Sequence, residues 1–225
     1  MRLIETTWWI IVDNVGMIGS GLLTTLVIAL LAYVGALAVG TLIAVCRVSP
    51  IAPLRVLGAV WVTLACNIPT LCLMILLGLV APRAGVPISL FWAAVGAIIF
   101  AGSGYVCEIV RSGINSVAEG QIEAARALGM PFALTIRAIV LPQALTRTIQ
   151  PLVNVFISCL IGSALAAAIG VSELTNVTEQ LNLQYAEAVG TFLLSGLTYL
   201  VLAFAATRIG GALERRLTRG AEVRP

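Results

Sequence analysis

The sequence predicts an all-α membrane protein with five transmembrane helices. Three observations carry that expectation. First, 60% of the 225 residues are hydrophobic and only 10% are charged, with a mean hydropathy of +1.07. A water-soluble domain of this size needs a larger charged surface. Second, the apolar residues fall in long uncharged runs: Asn14 to Cys46, Val56 to Pro82, Ala84 to Cys107, Thr148 to Ser172 and Ala188 to Thr207. Each can supply the roughly 20 helical residues that cross a hydrocarbon core. Backbone groups in lipid must bond to one another, and the period of two that marks a barrel strand is absent from these runs. Third, all 13 basic residues are arginine, and they separate by side. With the N-terminus outside, Arg47, Arg55, Arg111, Arg126, Arg137 and Arg147 face the cytoplasm. Arg208, Arg215, Arg216, Arg219 and Arg224 join them, and only Arg2 and Arg83 stay outside, as the positive-inside rule requires.

Each element has its own justification. The opening MRLIETTWWIIVDN lacks the short apolar core and small-residue cleavage site of a signal peptide. Leu3, Ile4, Trp8, Ile11 and Val15 recur at helical spacing, and paired tryptophans suit a membrane–water boundary. A short interfacial helix is expected there, with a simple extension of the first span as the alternative. The first run is too long for one upright helix, so it must tilt, bend or project. Pro69 and Pro151 can open backbone carbonyls in spans two and four, or merely kink them. Gly102-Ser103-Gly104 suggests close helix contact in span three. Glu108 and Arg111, one turn apart at its inner end, are expected to form a structural ion pair. The segment between spans four and five carries Glu173, Glu179 and Glu187 and no arginine, as an outer loop can.

The longest polar stretch runs from Arg111 to Pro151. Ser116-x-x-Glu119 has the form of a capping box that opens a helix. Gly129 fits a left-handed helix end, and Pro131 fits the first turn of a following helix. The expected pattern is a short helix to Leu128, a sharp turn, then a second helix. Ile122, Ala125 and Leu128 can share a face with Ala124 beside them, and Glu123 can pair weakly with Arg126. Alone, such a helix reads equally well as one that lies on lipid headgroups.

Composition also excludes functions. The chain has no histidine and no lysine, which removes a Walker A lysine, an imidazole base and any histidine-containing zinc site. The five cysteines form no CxxC pair and read as small buried apolar residues. The arginines are dispersed over loops, so the net charge of +3 reports topology and no nucleic-acid partner.

Glu123-Ala124-Ala125, three residues, Gly129, nine residues and Ile139-x-Leu141-Pro142 resemble the EAA motif of ABC importer permeases. Gly21-Leu-Leu-Thr-Thr-Leu26, Arg47-Val-Ser-Pro50, Arg111-Ser-Gly-Ile-Asn115, Leu141-Pro-Gln-Ala144, Pro151-Leu-Val-Asn154 and Ile169-Gly-Val-Ser-Glu-Leu174 extend the likeness. Together they resemble the histidine, glutamine and glutamate permeases, from about Gly21 to Leu217. The resemblance implies a type I ABC importer transmembrane domain with a cytoplasmic coupling helix. It implies residues 1–15 as an N-terminal interfacial segment and 16–214 as the transmembrane domain. The coupling loop would occupy about 112–147, and 215–225 would be a cytoplasmic tail. Glu123, Ala124, Ala125, Leu128 and Gly129 would couple to a separate ABC ATPase, present in two copies. ATP and magnesium would bind that ATPase, and this chain would hold no cofactor or metal. Further partners implied are a sister permease in a heterodimer, an external amino-acid-binding protein and membrane lipid. The setting would be the bacterial inner membrane, with the N-terminus outside and the C-terminus inside.

Three motifs depart from the family pattern. Gly104-Tyr-Val-Cys-Glu108 stands where relatives often have Ala-Tyr-x-Ala-Glu, and the other two lose a charged member. Where many relatives place an arginine in span two and a lysine in span four, this chain has Cys66-Asn-Ile-Pro69 and Ile161-Gly-Ser-Ala164. Charged groups inside a membrane are costly and are kept mainly for function, so direct substrate contact by this subunit is put in question. The remaining candidates for the path are Asn67, Thr70, Asn154, Ser158 and Ser163. Helix–helix hydrogen bonding is the competing explanation for each. Asn154 stands out because it lies one turn before Ser158 on the same face. The alternative function is a gradient-driven carrier or channel subunit, which would usually show a repeat and midplane carboxylates. A membrane enzyme lacks its catalytic groups here.

Overall fold

The computed structural model describes residues 2–222. Among them are ten α-helices in chain order: α1 Arg2–Asp13, α2 Val15–Val48, α3 Ala52–Asn67, α4 Thr70–Ile75 and α5 Leu90–Asn115. Then come α6 Glu119–Ala127, α7 Phe132–Thr135, α8 Leu141–Ser163, α9 Leu174–Tyr185 and α10 Ala188–Glu222. The described residues contain no strand. Four segments are long and apolar enough to cross a membrane as single units: Val15–Val48, Leu90–Asn115, Ala133–Ile169 and Ala188–Arg216. A fifth crossing, Ala52–Asn67 with Thr70–Ala84, is bent by 96°.

The expected second span is therefore broken. Ile68 is extended at φ −78°, ψ 123°, because the ring of Pro69 disfavours helical backbone in the residue before it. Beyond α4 the chain loosens into a π turn, Leu76–Val80, and a 3-10 turn, Ala81–Ala84. Gly85, at φ 86°, ends it, and the Ser89 hydroxyl caps α5 by accepting from the Trp92 amide. Span three accordingly starts at Leu90 and not at Ala84.

Packing shows that the bent pair does cross. Along α2 and α5, Gly35 meets Ile99 and Gly40 meets Val106, so these helices run parallel. The segment between them must return across the bundle. It does so along α5, with Cys66 at Gly104 and Gly78 at Ala93. The helix α8 runs antiparallel to α5, since Gly113 meets Thr148 and Gly102 meets Cys159. In turn α10 runs antiparallel to α8, with Gly210 against Val153.

Small residues permit this. On α2 the buried positions include Gly21, Thr25, Ala32, Ala36, Gly40 and Ala44, mostly four residues apart. A Cβ at Gly40 would lie 2.6 Å from the Ser103 carbonyl oxygen, so only glycine lets α2 and α5 approach this closely. Gly102 and Gly104 of α5 face Ala36 and Ala65, and buried Ser103 accepts from Trp61 Nε1 at 2.9 Å, which realises the expected close contact. Leu23, Leu30, Leu42, Leu200 and Phe204 are exposed; lipid solvates such side chains as well as a protein core does.

The ends differ from their sequence readings. A single unbroken 34-residue helix accounts for the long first run; at 1.5 Å per residue it exceeds the roughly 30 Å core. Asn14 separates α1 from α2. Among the described side chains of α1, Ile10 is the buried one, against Val177 and Leu181 of α9. Trp8 and Val15 are exposed instead, and the side chains of Leu3 and Ile4 lie outside the described residues. The expected outer loop contains a 12-residue helix, α9. Cys107 and Cys159 are buried and Cys46 and Cys66 half-buried, but Cys72 is exposed on α4.

Candidate functional site

A cavity of about 370 Å³ lies between the start of α4, the middle of α5 and the middle of α8. Its polar lining comes from Thr70, Tyr105, Asn154 and Ser158, beside apolar Ile98, Ile109 and Gly162. No charged side chain lines it. Asn154 and Ser158 are exposed on one face of α8, and the Ser158 hydroxyl donates to the Asn154 carbonyl at 2.9 Å. Thr70 reaches the cavity because the bend at Pro69 swings the start of α4 towards α8.

Two candidate path residues do not line this cavity. Asn67 is exposed just before the bend, and its amide nitrogen donates to the Thr63 carbonyl at 2.7 Å. Ser163 is fully buried and donates to the Leu160 carbonyl at 2.7 Å. Both bond a carbonyl of their own helix, and neither makes the helix–helix hydrogen bond offered as the competing explanation. Tyr105, Pro151 and Gly162 were not among the expected path residues. The spacing of Tyr105, Ile109 and Ser112 on one face of α5 is the signal that could have found Tyr105.

The segment after α5 keeps its expected outline and loses some details. The Ser116 hydroxyl donates back to the Gly113 carbonyl at 2.7 Å, and Ala118 precedes α6 without a side-chain cap. The capping box is therefore not formed, because Ser116 finishes α5 instead. Gly129 does adopt the left-handed conformation, at φ 72°. Thr135 N bonds the Pro131 carbonyl, and α7 continues through a π turn, Ile136–Val140, into α8. Ala125 alone is buried on α6, while Leu128 is 82% exposed. Leu128 thus leaves the face of Ala125 and joins Glu123, Ala124 and Ala127 on the outer one. The Leu128 amide still bonds the Ala124 carbonyl at 3.0 Å, so Leu128 stands one helical turn beyond exposed Ala124 and shares its face more than that of Ala125.

Among the described residues the ion pairs are Arg47–Glu108 at 3.0 Å and Arg111–Glu108 at 2.7 Å. The expected Glu108–Arg111 pair is present, Arg47 from α2 joins it, and Glu123–Arg126 is not formed. Two polar links tie the α6 segment to α8. Gln143 Nε2 donates to Gln121 Oε1 at 2.6 Å, and Arg147 Nη1 donates to the Ser116 carbonyl.

At the opposite end, Glu173 is fully buried. Its Oε1 accepts from the Asn176 amide at 2.8 Å, which caps α9. Its Oε2 accepts from the Tyr199 hydroxyl at 2.8 Å and from Thr25 Oγ1 at 3.2 Å. Thr25 Oγ1 in turn accepts from the Leu174 amide at 3.1 Å. One carboxylate thus joins α2, α9 and α10, where an exposed loop acid was expected.

Residues 36–219 match the family model described as "Binding-protein-dependent transport system inner membrane component". Two Bacillus subtilis proteins, described as the probable glutamine ABC transporter permease proteins GlnP and GlnM, are 32% and 30% identical. The GlnP match covers 92% of this chain and 96% of that protein; the GlnM match covers 93% and 97%. A crystal structure described as an amino acid ABC transporter with histidines superposes with a TM-score of 0.86 at 30% identity. That match covers 92% of this chain and 96% of the other. The chain belongs to the family of binding-protein-dependent transport system inner membrane components, as a multi-pass inner-membrane permease subunit of an ABC importer and not as an enzyme.

Proposed function

We propose that this chain forms one wall of the path by which a polar amino acid of glutamine or glutamate type enters the cell, driven by a separate ATPase. The link between α6 and α8 carries this reading. Glu123, Ala124, Leu128 and Gly129 present an exposed surface to a partner, while Ala125 anchors α6 inward. The Gln121–Gln143 contact joins α6 to α8, the helix that bears Asn154 and Ser158, and Arg147 ties α8 to Ser116 at the end of α5 just before it. Displacement of α6 by two ATPase subunits, which hold ATP and magnesium, would thus move a wall of the cavity. The π turn at Ile136–Val140 lies at the junction, and such turns inside helices are frequent at functional sites.

The cavity presents neutral hydrogen-bonding groups only. A zwitterion's charges are poorly served by such groups alone, which favours a heterodimer with a sister permease that supplies charged contacts. An external binding protein would deliver the amino acid. The glutamine permease names of the relatives support the substrate class. Segment 1–15 would lie at the outer interface, 16–214 would form the transmembrane domain with its coupling loop at about 112–147, and 215–225 would lie inside.

Expressing this chain with the ATPase and binding protein, with and without the sister permease, tests the assembly. Uptake of labelled glutamine only when the sister is present is expected; full uptake without it would reject the heterodimer. Orientation is read by labelling single cysteines at Leu183, 78% exposed at the end of α9, and at Leu128. Label from outside should reach the first and not the second.

A further inference from the structure

A second cavity, of about 280 Å³, opens where α5, the turn after it and the first half of α8 meet. Glu108, Ile109, Ser112, Ser116, Arg147 and Pro151 line it. Ile109 and Pro151 also line the first cavity, so the two adjoin. Along α8, Arg147, Pro151, Asn154 and Ser158 recur at spacings that keep them on one face. Arg147 stands about 10 Å of helix rise from Asn154, or two turns. The polar stripe of the proposed path therefore continues into the second cavity and ends on an arginine.

The charges there favour an anionic group. Glu108 is already engaged on both oxygens, by Arg47 at 3.0 Å and by Arg111 at 2.7 Å. Its charge is more than offset before Arg147 is counted. Arg147 spends one donor on the Ser116 carbonyl, and a guanidinium carries five. The same cavity wall also offers acceptors. Pro151 has no amide hydrogen, so the Arg147 carbonyl four residues earlier lacks its helical donor. The exposed Ser112 hydroxyl stands on the facing helix. A guanidinium beside a hydroxyl and a carbonyl that lacks its helical donor matches an α-amino acid, whose carboxylate needs donors and whose ammonium needs acceptors. The volume lies just under the roughly 300 Å³ at which ligand pockets begin, which suits a molecule of that size.

The geometry points to a release site for a zwitterionic α-amino acid between α5 and α8, in which the Arg147 guanidinium takes the carboxylate and the Arg147 carbonyl and Ser112 hydroxyl take the ammonium group. This rests on the reading that the Asn154–Ser158 cavity lies on the amino-acid path. It adds a last station on the side of the coupling loop, where an amino acid already inside the cell can re-bind and slow the next cycle.

The test uses the complete importer in proteoliposomes, with binding protein outside and ATP within. Uptake of labelled L-glutamine is measured against increasing unlabelled L-glutamine in the lumen, then against luminal glutamine α-amide, which lacks the carboxylate. Luminal glutamine should slow uptake by the unmodified importer and the α-amide should not. Arg147→Gln should raise the inhibitory luminal concentration about tenfold or more, as expected for a lost hydrogen bond to a charged group. Arg147→Lys should fall between the two. No luminal inhibition of the unmodified importer, equal inhibition by acid and amide, or unchanged inhibition in Arg147→Gln would each overturn the site. Should loss of the Ser116 contact prevent Arg147→Gln from assembling, Arg147→Lys decides, because an unchanged inhibitory concentration there overturns it too. Asn154→Leu tests the underlying path separately. Normal uptake by that variant rejects the path, whereas impaired uptake with unchanged luminal inhibition in the Arg147 variants rejects only the release site.

Discussion

The two ends of the bundle satisfy their polar and apolar groups in opposite ways. At the α9 end, Glu173 is fully buried and its oxygens meet Thr25, Tyr199 and the Asn176 amide from three helices. At the α6 end, Leu128 is 82% exposed, and the segment is held to α8 through Gln121–Gln143 and Arg147–Ser116. The first end completes itself. The second leaves an apolar surface and a glycine turn exposed, where the proposed ATPase contact would form. A subunit that is driven from one side benefits from this difference, since a stiff closed end gives the moving end something to move against.

The comparison can be broken most severely at Glu173. Glu173→Ala leaves three donors without their acceptor, of which the fully buried Thr25 hydroxyl alone costs about 1–3 kcal/mol and the half-buried Asn176 amide and Tyr199 hydroxyl add to it. We expect a large drop in the thermal midpoint of the detergent-solubilised complex and little expression. An unchanged midpoint would show that the closed end owes nothing to the carboxylate.

At the open end, Gly129→Val is the next largest change. Gly129 sits at φ 72°, a region that costs a non-glycine residue about 1–2 kcal/mol and a β-branched one more. Uptake and ATPase co-purification should fall while membrane insertion persists, and Gly129→Ala should be milder. Equal, normal uptake in both variants would mean that the turn is dispensable.

Leu128→Asp sharpens the contrast. Because Leu128 touches little within this chain, the thermal midpoint of the subunit alone should not move. Pull-down of the ATPase should weaken markedly. Loss of midpoint without loss of pull-down would assign Leu128 to the fold. The smallest effect is expected for Tyr199→Phe. It removes one of the three donors to Glu173 and leaves the others in place, so about 1 kcal/mol is at stake. The midpoint should fall slightly, and far less than in Glu173→Ala.

Much of the fold was legible in the sequence, because lipid imposes a strong one-dimensional rule. A run of some 20 uncharged residues must be helical there whatever its neighbours do. Gly129 was legible for a similarly local reason: a left-handed turn needs a particular backbone, and glycine supplies it. The Glu108–Arg111 pair was legible because both partners lie on one helix, one turn apart. The cavity was half legible. Asn154 and Ser158 line it as their shared face implied, and Thr70 does too. Asn67 and Ser163 looked equally polar, yet Asn67 stands before the bend and Ser163 is fully buried, so neither reaches the cavity.

The sequence by itself determined which segments enter the membrane, where the polar segment between α5 and α8 lies and which residue turns it. Those depend on composition and on backbone geometry within a few residues. Tertiary structure alone decided that Glu173 is buried, that Arg47 joins Glu108, that span two breaks by 96° yet still crosses, and that Leu128 points outward. Each depends on which helix comes to stand beside a given face. That choice is made by shape, through small residues such as Gly40 and Gly104 that let particular helices approach, and contacts between residues far apart in the chain leave no local pattern to read.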